Sequence, residues 1–260
     1  MTALDQFQMD GAIAVVTGGT GLYGTPFSRA LAEAGAHVVI TSRVLSSAQR
    51  SATELTKLGL SAEGYELDQA EPASITAFRD KVLADHGRVD VLVNNAVLRA
   101  GGDLQGTSAE DWAATSNVNS RGLFLLTQAI AESMQKRRSG TIVNIASIYG
   151  LVAPDFPMYE GTSVTSPIFY AYDKAGMIGM TRYLASALGP HGVRVNCLAP
   201  GGLRTEETDA AFDAAYRSRV PLGRMAEPDD VIGALLFLAS SASRYVTGVT
   251  LPVDGGWTAK

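Results

Sequence analysis

Short apolar runs alternate with longer stretches of helical spacing along almost the whole chain. Ala12 to Thr17 is an apolar run of strand length, and behind it Phe27, Ala30, Leu31 and Ala34 recur at helical spacing until Gly35 stops the pattern. The alternation then repeats. His37 to Thr41 reads as a second strand, Leu55 and Leu58 mark a second helix, and a third strand runs into Tyr65-Glu66-Leu67-Asp68. Pro72 opens a helix ending near His86, and Val89-Asp90-Val91-Leu92-Val93 is continuous enough to be a strand buried on both faces, as parallel sheets require. A helix from about Ser108 carries Asn117 to Gly122 in its course, and strand Gly140 to Ala146 follows it. A long helical run from Tyr170 to Leu188, a strand from Arg194 to Ala199, a polar helical stretch to about Arg219 and an apolar helix after Pro228 come next. The last strand ends in Val253-Asp254-Gly255-Gly256.

This order predicts an α/β fold with a doubly wound parallel sheet between two helical layers. With 260 residues and no repeat, linker or low-complexity segment, one domain over 1–260 is expected. Right-handed crossovers place the turn at Gly18, Asn94, Ser147 and Pro200 along one edge of the sheet, where such sheets bind ligands.

Composition removes several function classes. A net charge of −5 argues against a nucleic-acid surface, and Lys136-Arg137-Arg138 reads as the positive end of a helix. No apolar run approaches membrane-spanning length and no secretory leader is evident, so a cytoplasmic protein is expected. Cys197 is the only cysteine, and its alternating strand context predicts a buried structural thiol. His37, His86 and His191 stand singly in the sequence without metal-ligand spacing, so no protein-bound metal is expected.

The candidate chemistry lies at the predicted strand ends. Thr17-Gly18-Gly19-Thr20-Gly21-Leu22-Tyr23-Gly24 joins a strand to a helix, which suits close approach of a pyrophosphate to backbone N–H groups. The second strand ends in Thr41-Ser42-Arg43; an arginine in place of an acid favours a 2′-phosphate, hence NADP(H), with NAD(H) the alternative. Asp68 either touches the adenine or caps the following turn, and Asn94 and Asn95 stitch neighbouring strands or border the cofactor. Four residues apart on one helix face, Tyr170 and Lys174 can converge, and the ammonium would draw the phenol toward proton exchange near neutrality.

Taken in order, the Thr17-Gly18 turn, Asn94-Asn95-Ala96, Asn119, Ser147, Tyr170 with Lys174, Pro200-Gly201 with Thr205, and Val253-Asp254-Gly255-Gly256 resemble the short-chain dehydrogenase/reductase family over nearly the whole chain. The resemblance implies a Rossmann-like fold in three α/β/α layers, a nicotinamide cofactor, and a catalytic tetrad of Asn119, Ser147, Tyr170 and Lys174. It implies cofactor contacts from Gly18, Thr20, Gly21, Leu22, Tyr23, Ser42, Arg43, Asp68, Asn95, Ala96, Tyr170, Lys174, Pro200, Gly201, Leu203 and Thr205. In that family's chemistry Tyr170 would exchange a proton with the substrate oxygen, Ser147 would hydrogen-bond it, Lys174 would bias Tyr170, and Asn119 would hold a water leading to Lys174.

Three departures individualise the chain. A glycine stands at Gly21 where the short-chain pattern has it at the position of Leu22, Val97 replaces a glycine after Asn-Asn-Ala, and the gap from Ser147 to Tyr170 is longer than usual. The extra residues, about 148–169, are expected to wall the substrate pocket with Tyr159 or Glu160 facing the substrate, or else to serve as an oligomer contact or passive lid, and the resemblance implies a lid at about 203–219. The expected activity is interconversion of an alcohol and a ketone or aldehyde on a small sugar, hydroxy acid or 3-oxoacyl compound. A nucleotide-sugar epimerase or dehydratase, suggested by the Gly21 spacing, and a nicotinamide-binding redox sensor without turnover are the alternatives. Small residues Ala175, Gly176 and Gly179 on the Tyr170 helix would allow close helix–helix approach, and the resemblance implies a homodimer or homotetramer through that helix.

Overall fold

A computed structural model describes residues 2–162 and 164–259. Its strands are β1 (Ile13–Val16), β2 (His37–Ser42), β3 (Ala62–Glu66), β4 (Val91–Asn94), β5 (Gly140–Ile145), β6 (Val193–Pro200) and β7 (Thr250–Val253). All pair in parallel in the order β3-β2-β1-β4-β5-β6-β7. The chain therefore winds outward from β1 in one direction, then resumes at β4 in the other. That reversal opens a crevice between the carboxyl ends of β1 and β4.

Helices α1 (Gly24–Glu33), α2 (Leu45–Lys57), α3 (Pro72–His86), α4 (Ala109–Ser116), α5 (Leu123–Arg137), α6 (Ile168–Leu188), α7 (Ala210–Arg217) and α8 (Pro228–Ala239) cover the sheet and its upper edge. Because side chains alternate along a strand, Ala14 and Val16 join α1, α2 and α8 in one core layer, while Val15 joins α3, α5 and α6 in the other. Val15, Val16, Leu92, Val93, Ile142 and Val143 are wholly buried, each contributing on the order of 1.5–3 kcal/mol of transfer free energy. That two-sided burial explains why these strands read as unbroken apolar runs.

Local differences from the sequence expectation have local causes. β4 begins at Val91, and just before it the Asp90 carboxylate accepts from the Ile13 amide at 2.9 Å and pairs with Arg88 and Arg137. α6 begins at Ile168, two residues before Tyr170, with Pro167 at its entry. Between α4 and α5 the helix does not break but widens into a π-helical turn, Asn117–Gly122. The 148–169 segment contains two short 3-10 turns, Ile148–Gly150 and Phe156–Met158, and Met158 is buried. Among the described residues no helix is long and apolar enough to cross a membrane.

Candidate active site

The turn after β1 is held against the end of β4. Thr17 Oγ1 accepts from the amides of Asn95 and Ala96, both at 2.9 Å, and Asn95 Nδ2 donates to the carbonyls of Thr17 and Gly18. Gly18 has φ +59, and a Cβ there would stand 3.0 Å from Ala96 Cα, so glycine is required by both conformation and space. A Cβ on Gly24 would meet the Gly18 carbonyl oxygen at 2.1 Å, which is how α1 sits directly on the turn. No side chain caps α1; the Thr25 amide already donates to the Gly21 carbonyl at 3.0 Å and Pro26 has no N–H, so Gly24 offers the amide at the helix start to an anionic ligand. Asn94 is structural: its Nδ2 donates to Asn144 Oδ1 at 2.8 Å and to Thr127 Oγ1 at 3.0 Å, tying β4 to β5 and α5.

Two adjoining cavities, each of about 490 Å³, open above the carboxyl edge of the sheet. The first takes in Gly18, Thr20, Gly21, Leu22 and Tyr23 from the turn, Ser42 and Arg43 after β2, and Asp68 after β3. Asn95, Ala96, Tyr170 and Lys174 complete that wall. Asp68 both lines the cavity and caps its turn, accepting from the Ala70 amide at 2.9 Å. Arg43 is exposed and makes no ion pair among the described residues. Of the remaining expected cofactor contacts, Gly201, Leu203 and Thr205 line the second cavity, and Pro200 lines neither. Leu22, Tyr23, Arg99 and Tyr170 form the boundary shared by both. Tyr23 spans it, donating to the Gly201 carbonyl at 3.2 Å. A dinucleotide fits the first cavity, since the glycine turn after β1 faces it and Arg43 stands exposed among its lining.

At the junction, β5 delivers Ser147 and α6 delivers Tyr170 and Lys174. Lys174 is buried and donates to the Ile145 carbonyl at 2.7 Å, and its Nζ lies 5.4 Å from the centre of the Tyr170 ring. The Arg99 guanidinium lies over the same ring at 5.0 Å. Burial alone would raise the Tyr170 phenol, but Lys174 and Arg99, with hydrogen bonds from Ser147 and Arg99, outweigh it and bring the group below its ordinary value of 10.0. Two cations thus favour the phenolate at the one point where both cavities meet.

Asn119 joins this group indirectly. Its Oδ1 accepts from the Leu98 amide at 2.8 Å, and its Nδ2 donates to the Leu98 carbonyl at 2.9 Å and to Asp173 Oδ2 at 2.8 Å. The side chain is therefore spent on the Leu98 loop and on the residue before Lys174. Ser120 Oγ also donates to Asp173, at 3.2 Å. Arg99 and Asp173 escape a reading by motif. Asp173 lies inside the Tyr170 to Lys174 interval, where a buried carboxylate beside a lysine is the available signal, whereas Arg99 is brought to Tyr170 only by the loop after β4.

The longer Ser147–Tyr170 connection and the segment after β6 pack on each other. Ile148 and Met158 share a cluster with Phe212, Tyr216, Val220, Met225 and Trp257. Arg219 pairs with Asp155 across the two segments. Tyr159 lines the second cavity, hydrogen-bonded to Tyr149, whereas Glu160 is exposed and not part of the lining. Arg204, Glu206, Glu207 and Arg217 are exposed, and Glu207 also borders the second cavity. Cys197 is wholly buried, and burial pushes its thiol up to about 11, as suits a structural cysteine.

Residues 23–258 match the family model described as enoyl-(acyl carrier protein) reductase. The 2-dehydro-3-deoxy-D-gluconate 5-dehydrogenase of Escherichia coli strain K12 is 36% identical over 264 residues, covering 99% of each chain. A 3-oxoacyl-[acyl-carrier-protein] reductase of Thermotoga maritima is 35% identical over 252 residues, covering 96% of this chain and 98% of that one. The crystal structure of a gluconate 5-dehydrogenase from Burkholderia cenocepacia, in complex with NADP and tartrate, superposes with a TM-score of 0.92 at 36% identity over 100% of both chains. Similar structures hold NADP in some cases and NAD+ in another. The chain belongs to the short-chain dehydrogenase/reductase family and is an NAD(P)-dependent oxidoreductase acting on alcohol and ketone groups of small molecules.

Proposed function

We propose that the chain interconverts the alcohol and ketone of a small anionic hydroxylated substrate, of the hydroxy-acid or sugar-acid class, and prefers NADP(H) to NAD(H). Arg99 carries the substrate class: its guanidinium faces both cavities beside Tyr170 and makes no ion pair among the described residues. A carboxylate on the substrate would complete its hydrogen bonding. The sugar-acid name of the E. coli relative and the tartrate in the Burkholderia structure support the same class.

In this reading Tyr170 gives its hydroxyl proton to the substrate oxygen in reduction and takes it back in oxidation. Ser147 donates to that oxygen and stabilises the charge that develops there. Lys174, anchored by the Ile145 carbonyl, keeps two further N–H donors for the phenolate side and for a ribose hydroxyl. Asn119 and Asp173 hold the Leu98 loop and the start of α6 in register. A bound nicotinamide supplies or accepts the hydride, and Arg43 would hold the 2′-phosphate. The 1–260 chain acts as one domain, with 148–169 as a pocket wall and 203–219 as a lid. It works as a homodimer or homotetramer through the face of α5 and α6 on which Phe124, Tyr172 and Tyr183 are exposed.

Reduced-cofactor absorbance, followed with NADPH and NADH against keto-aldonates, neutral ketoses and 3-oxoacyl thioesters, tests the reading. Turnover should favour NADPH and keto-acids. Arg43→Ala should raise KM for NADPH about tenfold and leave NADH unchanged, and Arg99→Ala should raise KM for keto-acids about tenfold. Turnover confined to thioesters would overturn the substrate class, and an equal preference for NADH would overturn the role of Arg43.

A further inference from the structure

Far from the catalytic crevice, at the opposite end of the sheet, the fold gathers residues that stand apart in the sequence. His37 opens β2, Glu63 lies early in the edge strand β3, and His86 closes α3. One ligand atom from each lies within 4.8 Å of the others. His86 Nε2 and Glu63 Oε2 are 3.6 Å apart, and the two imidazole rings have centroids 4.8 Å apart.

The tautomer of His37 suits coordination. Its Nδ1 is 2.8 Å from Ser61 Oγ; with Ser61 accepting, the proton sits on Nδ1 and the lone pair on Nε2. That Nε2 is buried and has no hydrogen-bond partner. A buried nitrogen aimed at a second imidazole and a carboxylate, with its other nitrogen oriented from outside, is the arrangement of a metal ligand with its supporting hydrogen bond.

The geometry points to a divalent transition-metal site formed by His37 Nε2, His86 Nε2 and Glu63. Two imidazoles and a carboxylate select zinc-like ions over calcium or magnesium, which prefer all-oxygen shells. Metal–nitrogen bonds of about 2.0 Å in a tetrahedral site place ligand atoms about 3.3 Å apart, so the ligand atoms, all within 4.8 Å of one another, need close by no more than about 1.5 Å. Tyr65 lies at the rim, 3.0 Å from His86 Nε2, but its single hydroxyl proton has a nearer acceptor in Asp85 Oδ2 at 2.7 Å. On binding, the ion takes the place of the proton on His86 Nε2, which is released to solvent, and water fills the fourth position. The site would clamp the edge strand to β2 and to the end of α3.

Untagged protein titrated with Co²⁺ as a spectroscopic probe and with Zn²⁺ in thermal unfolding tests this. One equivalent of Co²⁺ per chain should give visible d–d bands of a tetrahedral or five-coordinate ion. The Tm should rise with Zn²⁺ concentration. His37→Ala and Glu63→Gln should each weaken binding by at least about tenfold. His191→Ala, which alters the one remaining histidine, should leave both signals as in the wild type. Octahedral spectra, no saturable binding, or bands that survive His37→Ala and Glu63→Gln would overturn the site. Unfolding in the absence of metal shows whether either variant has simply lost its fold.

Discussion

Asn119 Nδ2 donates to Asp173 Oδ2 over 2.8 Å, so the π-helical turn is tied directly to the residue before Lys174. Burial holds the Asp173 carboxyl above its ordinary value of 3.8, against the opposing pull of Asn119, Ser120 and Lys174. A carboxyl raised in this way contributes stability that is present below its unfolded pKa and is lost as pH rises through the folded one. Asp173→Asn keeps an acceptor for Asn119 and can donate to Ser120, so it should fold and should lose that pH dependence. Relative to wild type it should gain stability from acid toward neutral pH in thermal unfolding. Asp173→Ala, which leaves one Asn119 N–H without its acceptor, should cost on the order of 1–3 kcal/mol and lower kcat. Parallel stability curves for wild type and Asp173→Asn would refute the assignment.

Tyr170 owes its lowered pKa to Lys174 first and Arg99 second, both working against burial. Alcohol oxidation needs the phenolate, so its rate should climb with pH through an apparent pKa below 10.0, while ketone reduction should fall over the same range. Arg99→Ala and Lys174→Met each remove a cation that stabilises the phenolate, so each should move the profile to higher pH. Tyr170→Phe should abolish turnover in both directions. A kcat/KM profile unmoved by Arg99→Ala would show that Arg99 does not act on Tyr170.

Nothing lies within 4 Å of where a Cβ would stand on Gly176 or Gly179, and Tyr172 and Tyr183 on the same helix are 60% and 73% exposed. An α6 surface of small residues and exposed tyrosines suits close packing against a second copy. Gly179→Glu has room in the isolated chain and should leave the fold intact, yet it would bury a charge between copies. In sedimentation velocity at micromolar concentration the wild type should run as a dimer or tetramer, and Gly179→Glu as a smaller species. A wild-type monomer would remove the basis for this face.

Elements whose pattern is local were legible in the sequence. The central strands announce themselves because burial on both faces demands unbroken apolar runs, as in Val91 to Val93. The Gly18 turn is readable because φ +59 and the pressure of Ala96 admit only glycine, and Tyr170 with Lys174 because four residues is one helical turn. What depends on segments distant in the chain was not. Arg99 reaches Tyr170 only because the loop after β4 folds back over α6, and the 148–169 segment acquires its buried Met158 only by packing on Phe212 and Trp257. Likewise His37 and His86 stand alone in the sequence and become neighbours because β2, β3 and α3 close at one end of the sheet. Periodicity records which face of its own element a residue occupies; which other element meets that face is settled by the packing of the whole sheet.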